Sequence, residues 1–375
     1  IAKDTTLGAD DGIGVAAMLA LLDSDLPMGR IECVFTISEE TGMDGAFGME
    51  PGFFTGRTLI NLDSEDEGQM FIGCAGGLDT TAVFSYAQED LKKGCKPVRL
   101  EIGGALGGHS GDDINKGRAN TVQQMARFLY SEMAHGLQLV MLKGGNKPNA
   151  IARECEAIIT VPDTDATIAR FTAFGEDVKN EYFKTDSGMT FIGETYRCTE
   201  KPVQSDVAGK LIMSLFACPH GVEAMSQDIT GLVETSTNLA AVRMNRQGKI
   251  EVITSQRSST GSARKMMAAK VEANFLLAGA KVSHLSEYPG WKPNLDSHIL
   301  RVCVDSYKKL FGHEPEVKAI HAGLECGLFG EKFGDLDMIS FGPTLRGVHA
   351  PGEKLELSSL EKFTEHLVDV VTNFK

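Results

Sequence analysis

Two glutamates stand side by side at the end of an apolar run, Glu39 and Glu40 in "IECVFTISEETGMDG". Adjacent carboxylates repel each other and resist burial. Two further acids occupy comparable places: Asp10 in "TTLGADDGIG" and Asp63 in "LINLDSEDEG". In open α/β sheets, ligands bind outside the C-terminal ends of the strands. Glu39, Glu40 and Asp63 directly follow β-type runs and could converge there. Any one of these acids could be a helix N-cap or a solvated loop residue. Together, at a buried edge, they need a compensating cation, and a divalent metal supplies it.

A histidine should complete such a site. Of nine in the chain, His349 in "SFGPTLRGVHAPGE" is best placed, following a strand in a Gly/Pro-rich loop. His109 in "GGALGGHSGDD" and His321 in "IHAGLECG" also lie in glycine-rich loops. His366 is expected on the polar side of the last helix, solvated; the remaining histidines show no partner pattern. Carboxylates plus imidazole without thiolate favour zinc, manganese or cobalt in a reactive centre over a structural zinc. On an extended chain adjacent side chains point to opposite sides. One glutamate can then bind metal while its neighbour faces the activated water as general base.

The elements that must position these groups alternate in type. "GIGVAAMLALLDS" has helical apolar spacing, whereas "IECVFTI" and "TLINLDS" read as short strands, an α/β pattern. After the glycines of "GCAGGLD" the style changes. Strands such as "VRLEIGG", "LQLVMLKGG" and "KIEVITSQ" are separated by fewer, longer helices, an α+β block. The α/β style returns with the amphipathic "SHILRVCVDSYKKLFG", the strand "DMISF" and a closing helix "LSSLEKFTEHLVDVVTNF". The expected architecture is an α/β catalytic domain with a mixed central sheet flanked by helices, built from residues 1–78 and 288–375. An α+β lid or dimerisation domain, residues 79–287, interrupts it.

Composition agrees with a chain of about two domains: 375 residues, 42% apolar and 23% charged. A formal net charge of −14 argues against nucleic acid or an anionic membrane as partner. No run approaches the roughly 18 apolar residues of a membrane span. Eight cysteines are scattered singly, with no CxxC pair, which suggests reduced, mostly buried thiols in a cytoplasmic protein.

The phrases "TTLGADDGIG", "SEETGMDGAFG", "LINLDSEDEG", "GGHSGDDI", "YPGWKPN", "HAGLECGLF" and "GPTLRGVHAPGE" occur in this order. In them the chain resembles, over nearly its whole length, the bacterial aminoacyl-histidine (Xaa-His) dipeptidases of the di-zinc metallopeptidase family. The resemblance implies two divalent ions, zinc foremost. Asp10 would bridge them, Glu40 and Asp63 would be further ligands, and His349 would bind the second ion. Glu39 would be the general base on a water held between the metals. It further implies that the inserted domain contacts a dipeptide substrate. His109 would stabilise the developing oxyanion. Arg257 in "VITSQRSS" would clamp the C-terminal carboxylate, with Asn238 in "TSTNLA" at the same subsite. Glu325 would face the substrate amine, and a homodimer would form through the lid domain.

One departure stands out. The family pattern opens with a strand ending in His-x-Asp upstream of "TTLGAD", and this sequence has none. The resemblance therefore implies an N-terminally incomplete chain, short of one metal-binding histidine. Two other readings stay open: an N-acyl amino acid amidohydrolase (deacylase) of the same fold, and a metal-binding relative that has lost the reaction. Retention of both Glu39 and Glu40 argues against the latter.

Overall fold

A computed structural model of the protein describes residues 1–245 and 247–374 and, at position 41, the backbone alone. The chain divides into two compact units, one of residues 1–75 and 289–375, the other of residues 76–288.

The first unit is built on a four-stranded mixed sheet in the order Thr58–Asn61, Asp337–Ser340, Gln69–Cys74, Glu316–Ile320. The outer pairs run parallel, and the two middle strands meet in an antiparallel contact at Ser340 and Phe71. Three helices supply the long apolar faces: Ala9–Leu22, His298–Phe311 and Leu357–Asn373. The helix His298–Phe311 starts where the Ser297 side chain accepts the Leu300 N–H (3.1 Å) and stops at Gly312, which takes the left-handed φ of 77°. Its buried Ile299 and Cys303 share the core with Ile339 and with Phe363, Leu367 and Val370 of the closing helix.

The second unit carries a nine-stranded antiparallel sheet. Its main path runs Lys281–Tyr288, Gly76–Ser85, Lys249–Ser258, Val233–Asn245, Gln138–Gly145, Cys155–Val161, Lys96–Gly103, Thr190–Thr195. Gly221–Met225 adds to Val233–Asn245. Alternation along Lys96–Gly103 buries Val98, Leu100 and Ile102 completely. They pack under the helices Thr121–Glu132, Thr164–Glu181, Ser205–Ala217 and Gly261–Leu277 in a core that includes Met125, Leu129, Phe171 and Phe275. Asn120 caps the first of these helices by accepting the Val122 and Gln123 N–H groups.

Three expectations need correction. Residues 31–37 form no strand, because β-propensity extends a chain but does not supply a neighbour to complete the ladder. Glu39 and Glu40 are not on extended chain: Ser38 turns left-handed (φ 58°) and Glu39–Gly42 closes a short helical turn. Their side chains are thus separated by about 100° rather than opposed. His366 is buried, only 3% exposed, with Nε2 3.0 Å from the Cys303 carbonyl and the ring against Tyr307 and Phe341. Its helix packs on His298–Phe311 there, so the face read as polar is an interior one.

Candidate metal centre

Within the first unit, four separate segments deliver their acids and imidazole to one place. Asp10 stands at the start of the helix Ala9–Leu22, behind Gly8, whose left-handed φ of 70° turns the chain into that helix. Glu39 and Glu40 open the turn after Ser38. Asp63 follows the strand Thr58–Asn61, its N–H donating to Asn61 Oδ1 (3.2 Å), and Asn61 in turn accepts from Ser340 Oγ (2.6 Å). His349 lies on the loop after Asp337–Ser340 and itself holds a positive φ of 59°. That loop approaches the Asp63 segment so closely that a Cβ at Gly342 would sit 1.9 Å from the Ser64 carbonyl oxygen, which only glycine allows. It is then tied down by the Leu345 N–H on the Glu65 carbonyl (3.0 Å) and by Arg346 on Asp66 (2.6 Å).

Asp10 is the hub. His349 Nε2 lies 2.7 Å from Asp10 Oδ2 and 2.7 Å from Glu40 Oε1. Hydrogen-bond contacts also join the Asp10 side chain to Glu40 and to Asp63. One ligand atom each from Asp10, Glu40 and His349 lies within 4.8 Å of the others. A single imidazole N–H cannot serve two carboxylates equally, whereas a cation at that point would face all three donors. An oxygen and nitrogen donor set of this kind fits a divalent ion such as zinc or manganese.

The electrostatics point the same way. Burial, then the charges of Glu40, Glu325 and Asp10, push Glu39 up to about 7. Burial also carries Asp11 to about 7, against a hydrogen bond from the Gly14 N–H. Asp63 is driven well up by burial and by the neighbouring Asp11 and Asp10. Among the described residues no lysine or arginine pairs with any of these carboxylates. For His349, burial opposes the imidazolium, but Asp10 and Glu40 outweigh it and raise its pKa.

A cavity of about 590 Å³ in this unit is lined by Asp11, Glu39, Asp63 and Glu325 together with apolar Val15 and Phe54. Glu325 is 7% exposed; Oε2 accepts from Thr36 Oγ1 (3.0 Å), and the buried Oε1 has no hydrogen-bond partner among the described residues. A buried carboxylate oxygen without a partner, on a residue that lines a cavity, carries a desolvation cost that a cationic or N–H-bearing group could offset.

The other residues picked out in the sequence gather within the second unit. His109 pairs with Ala150, whose carbonyl accepts from Asn238 Nδ2 (2.8 Å). Arg257 donates from Nε to Ser110 Oγ (3.3 Å) and from Nη1 to Tyr288 Oη (3.1 Å). The Gly111 and Asp112 N–H groups both point at His109 Nδ1 (3.2 Å each). The same Nδ1 also lies 3.5 Å from Asp112 Oδ2; a neutral ring that accepts the two N–H groups carries its proton on Nε2. His321 is buried, 6% exposed.

Sequence reasoning missed Asp11, Glu353, Ser110 and Tyr288. Asp11 carried a readable signal, being the second half of an acid pair like Glu39–Glu40. Ser110 and Tyr288 carried none, since their relevance is set by where Arg257 reaches.

The fold is that of a hydrolase family. The chain belongs to Peptidase family M20/M25/M40, which it matches over residues 7–373. It is a peptidase, and membership brings divalent-metal use with it. The chain is 35% identical over 374 residues to the cytosol non-specific dipeptidase of Escherichia coli (strain K12), covering 99% of this chain and 77% of that protein. The crystal structure of aminoacylhistidine dipeptidase from Vibrio alginolyticus matches with a TM-score of 0.93 at 38% identity, over 98% of this chain and 76% of that one. Aminopeptidase PepT from Bacillus cereus shares the fold, with a TM-score of 0.51 at 15% identity over 98% of this chain and 72% of that chain.

Proposed function

We propose that the protein hydrolyses dipeptides, with Xaa-His the preferred class, at two divalent ions held by Asp10, Glu40, Asp63 and His349. The observation that carries this reading is the convergence of Asp10, Glu40 and His349 on one point. Zinc comes first, with manganese or cobalt as the other ions the donor set would accept. Bound there, the ions would polarise the scissile carbonyl and acidify the attacking water.

The chain's own groups do the rest. Glu39, next to the proposed ligand Glu40, would take a proton from the water and hand it to the leaving amine as the C–N bond breaks. His109 Nε2–H would donate to the developing oxyanion. Arg257, braced by Ser110 and Tyr288, has the planar fork that suits the C-terminal carboxylate, with Asn238 beside it. Glu325 Oε1 would receive the substrate's free ammonium, which favours a dipeptide over an N-acylated amino acid. The similarity to the dipeptidases of Escherichia coli and Vibrio alginolyticus supports a dipeptide substrate.

In the same reading the inserted unit acts as a lid and as the dimer surface. Exposed apolar side chains such as Met266 and Leu277 on its helix Gly261–Leu277 support the latter. Eight free cysteines, six of them buried, and the cytosolic relative support a cytoplasmic location. Among the described residues no helix is long and apolar enough to cross a membrane.

The test is the release of histidine from Xaa-His dipeptides against the release of acetate from N-acetyl amino acids, in zinc-loaded and chelated samples. Zinc-dependent histidine release is expected. Turnover of the acetylated substrate alone would transfer the protein to the amidohydrolase reading, and no turnover of either would leave a binding protein.

A further inference from the structure

Two residues read as ligands of one ion, Asp10 and His349, lie at opposite ends of the sequence. One buried side chain ties their loops together. Glu353 is 1% exposed. Its Oε2 accepts the N–H groups of Leu7 (2.7 Å) and Gly8 (3.0 Å), and its Oε1 those of Ala9 (2.8 Å) and Asp10 (3.3 Å). Four consecutive N–H groups converge on one carboxylate because Gly8 turns left-handed among them, making a concave anion nest. The backbone closes the same seam: the Ala2 N–H meets the Glu353 carbonyl (3.0 Å), and the Gly352 N–H meets that of Thr5 (3.2 Å). Glu353 is also only four residues past His349 and shares its loop.

We infer that Glu353 is a positioning residue of the metal centre, fixing the Asp10 carboxylate against the His349 imidazole. The inference rests on the reading of Asp10 and His349 as metal ligands. The helix Ala9–Leu22 has no side-chain cap of its own from Gly8, so the distant glutamate takes over that task too. A cap alone, however, would affect folding and leave the affinity of the folded site unchanged. A carboxylate that sets ligand geometry must change metal affinity, typically by about 10–100-fold when such an outer partner is lost.

The experiment compares Glu353→Ala and Glu353→Gln with wild type. Zn²⁺ affinity is measured by competition with a chromogenic chelator, and Tm on the chelated protein. Glu132→Ala serves as control, since Glu132 is 1% exposed and pairs with Arg170 in the other unit. Glu353→Ala should weaken Zn²⁺ binding by about 10–100-fold. Glu353→Gln, which keeps one acceptor oxygen but turns an NH₂ toward two donors, should fall between it and wild type. Glu132→Ala should lower Tm without changing affinity. If Glu353→Ala does not fold, the Gln variant decides on the same criterion. Wild-type affinity in a folded Glu353 variant overturns the positioning role alone. Absence of Zn²⁺ binding by wild type overturns the metal centre, and the positioning role with it.

Discussion

The two units treat their carboxylates in opposite ways. In the inserted unit, acids are matched with donors. Glu132 takes both arms of Arg170 (2.7 and 2.8 Å), and Glu156 meets Arg99 and Lys143 at 2.7 Å. Asp186, 1% exposed, accepts the Leu106 and Ala119 N–H groups at 2.7 and 2.9 Å. Burial opposes the charge of Glu156, but Lys143 and Arg99 outweigh it and lower its pKa. In the first unit, burial combines with mutual repulsion to raise Asp11, Glu39, Glu40 and Asp63, and among the described residues no lysine or arginine pairs with them, while the His349 imidazole meets Glu40. Matched acids stabilise a fold. Acids clustered against one another cost stability and are explained by what they hold.

The largest effect that tests this contrast is expected at Glu39. Glu39→Gln should lower kcat by about 10²–10⁴-fold, the usual worth of a general base, while the protein retains metal. Kinetics together with metal analysis read both; normal turnover would remove Glu39 from its role. Next comes His349→Ala, which should weaken Zn²⁺ binding at least as much as loss of an outer partner, about 10–100-fold, with little change in Tm of the chelated protein. In the inserted unit the pattern should invert. Glu132→Gln should cost about 1–3 kcal/mol of stability in chemical denaturation and leave Zn²⁺ affinity unchanged.

The smallest effect concerns pH, and its sign differs between the units. For Asp11 and Glu39 the folded pKa of about 7 lies above the unfolded value of about 4. Their contribution is fully present below pH ~4 and is lost as pH rises through about 7, so the chelated first unit weakens upward. His220 of the inserted unit is pushed by burial down to about 4, below its unfolded value near 6.5. Its contribution is present above pH ~6.5 and is lost as pH falls through about 4. Amide exchange of the chelated protein between pH 4 and 8 should show opposite slopes for the two units. Parallel slopes would contradict the contrast.

Much of this was legible in the chain, for physical reasons. The helix His298–Phe311 carries its apolar spacing, its Ser297 cap and its Gly312 stop in the sequence. Glu40 and Asp63 stood out as candidates because acids at the ends of apolar runs are costly without a partner, Asp10 because it offers a further acid in a glycine-flanked turn, and His349 because it follows a strand in a Gly/Pro-rich loop. Residues 31–37 misled because their apolar character says nothing about which strand would lie alongside. The Glu39–Glu40 geometry misled because the left-handed turn at Ser38 has no glycine to announce it. His366 misled because its burial depends on a helix packed from 63 residues away. Glu353 stayed silent because its four partners lie more than 340 residues upstream.

The central claim is that the clustered acids of the first unit are balanced by a divalent cation. Calorimetric titration of the chelated protein with Zn²⁺ at pH 6, repeated in buffers of different ionisation heat, tests it most directly. Saturable binding with release of protons is predicted, because acids held protonated by their neighbours ionise when the cation arrives. Binding without proton release, or no binding at all, would contradict it.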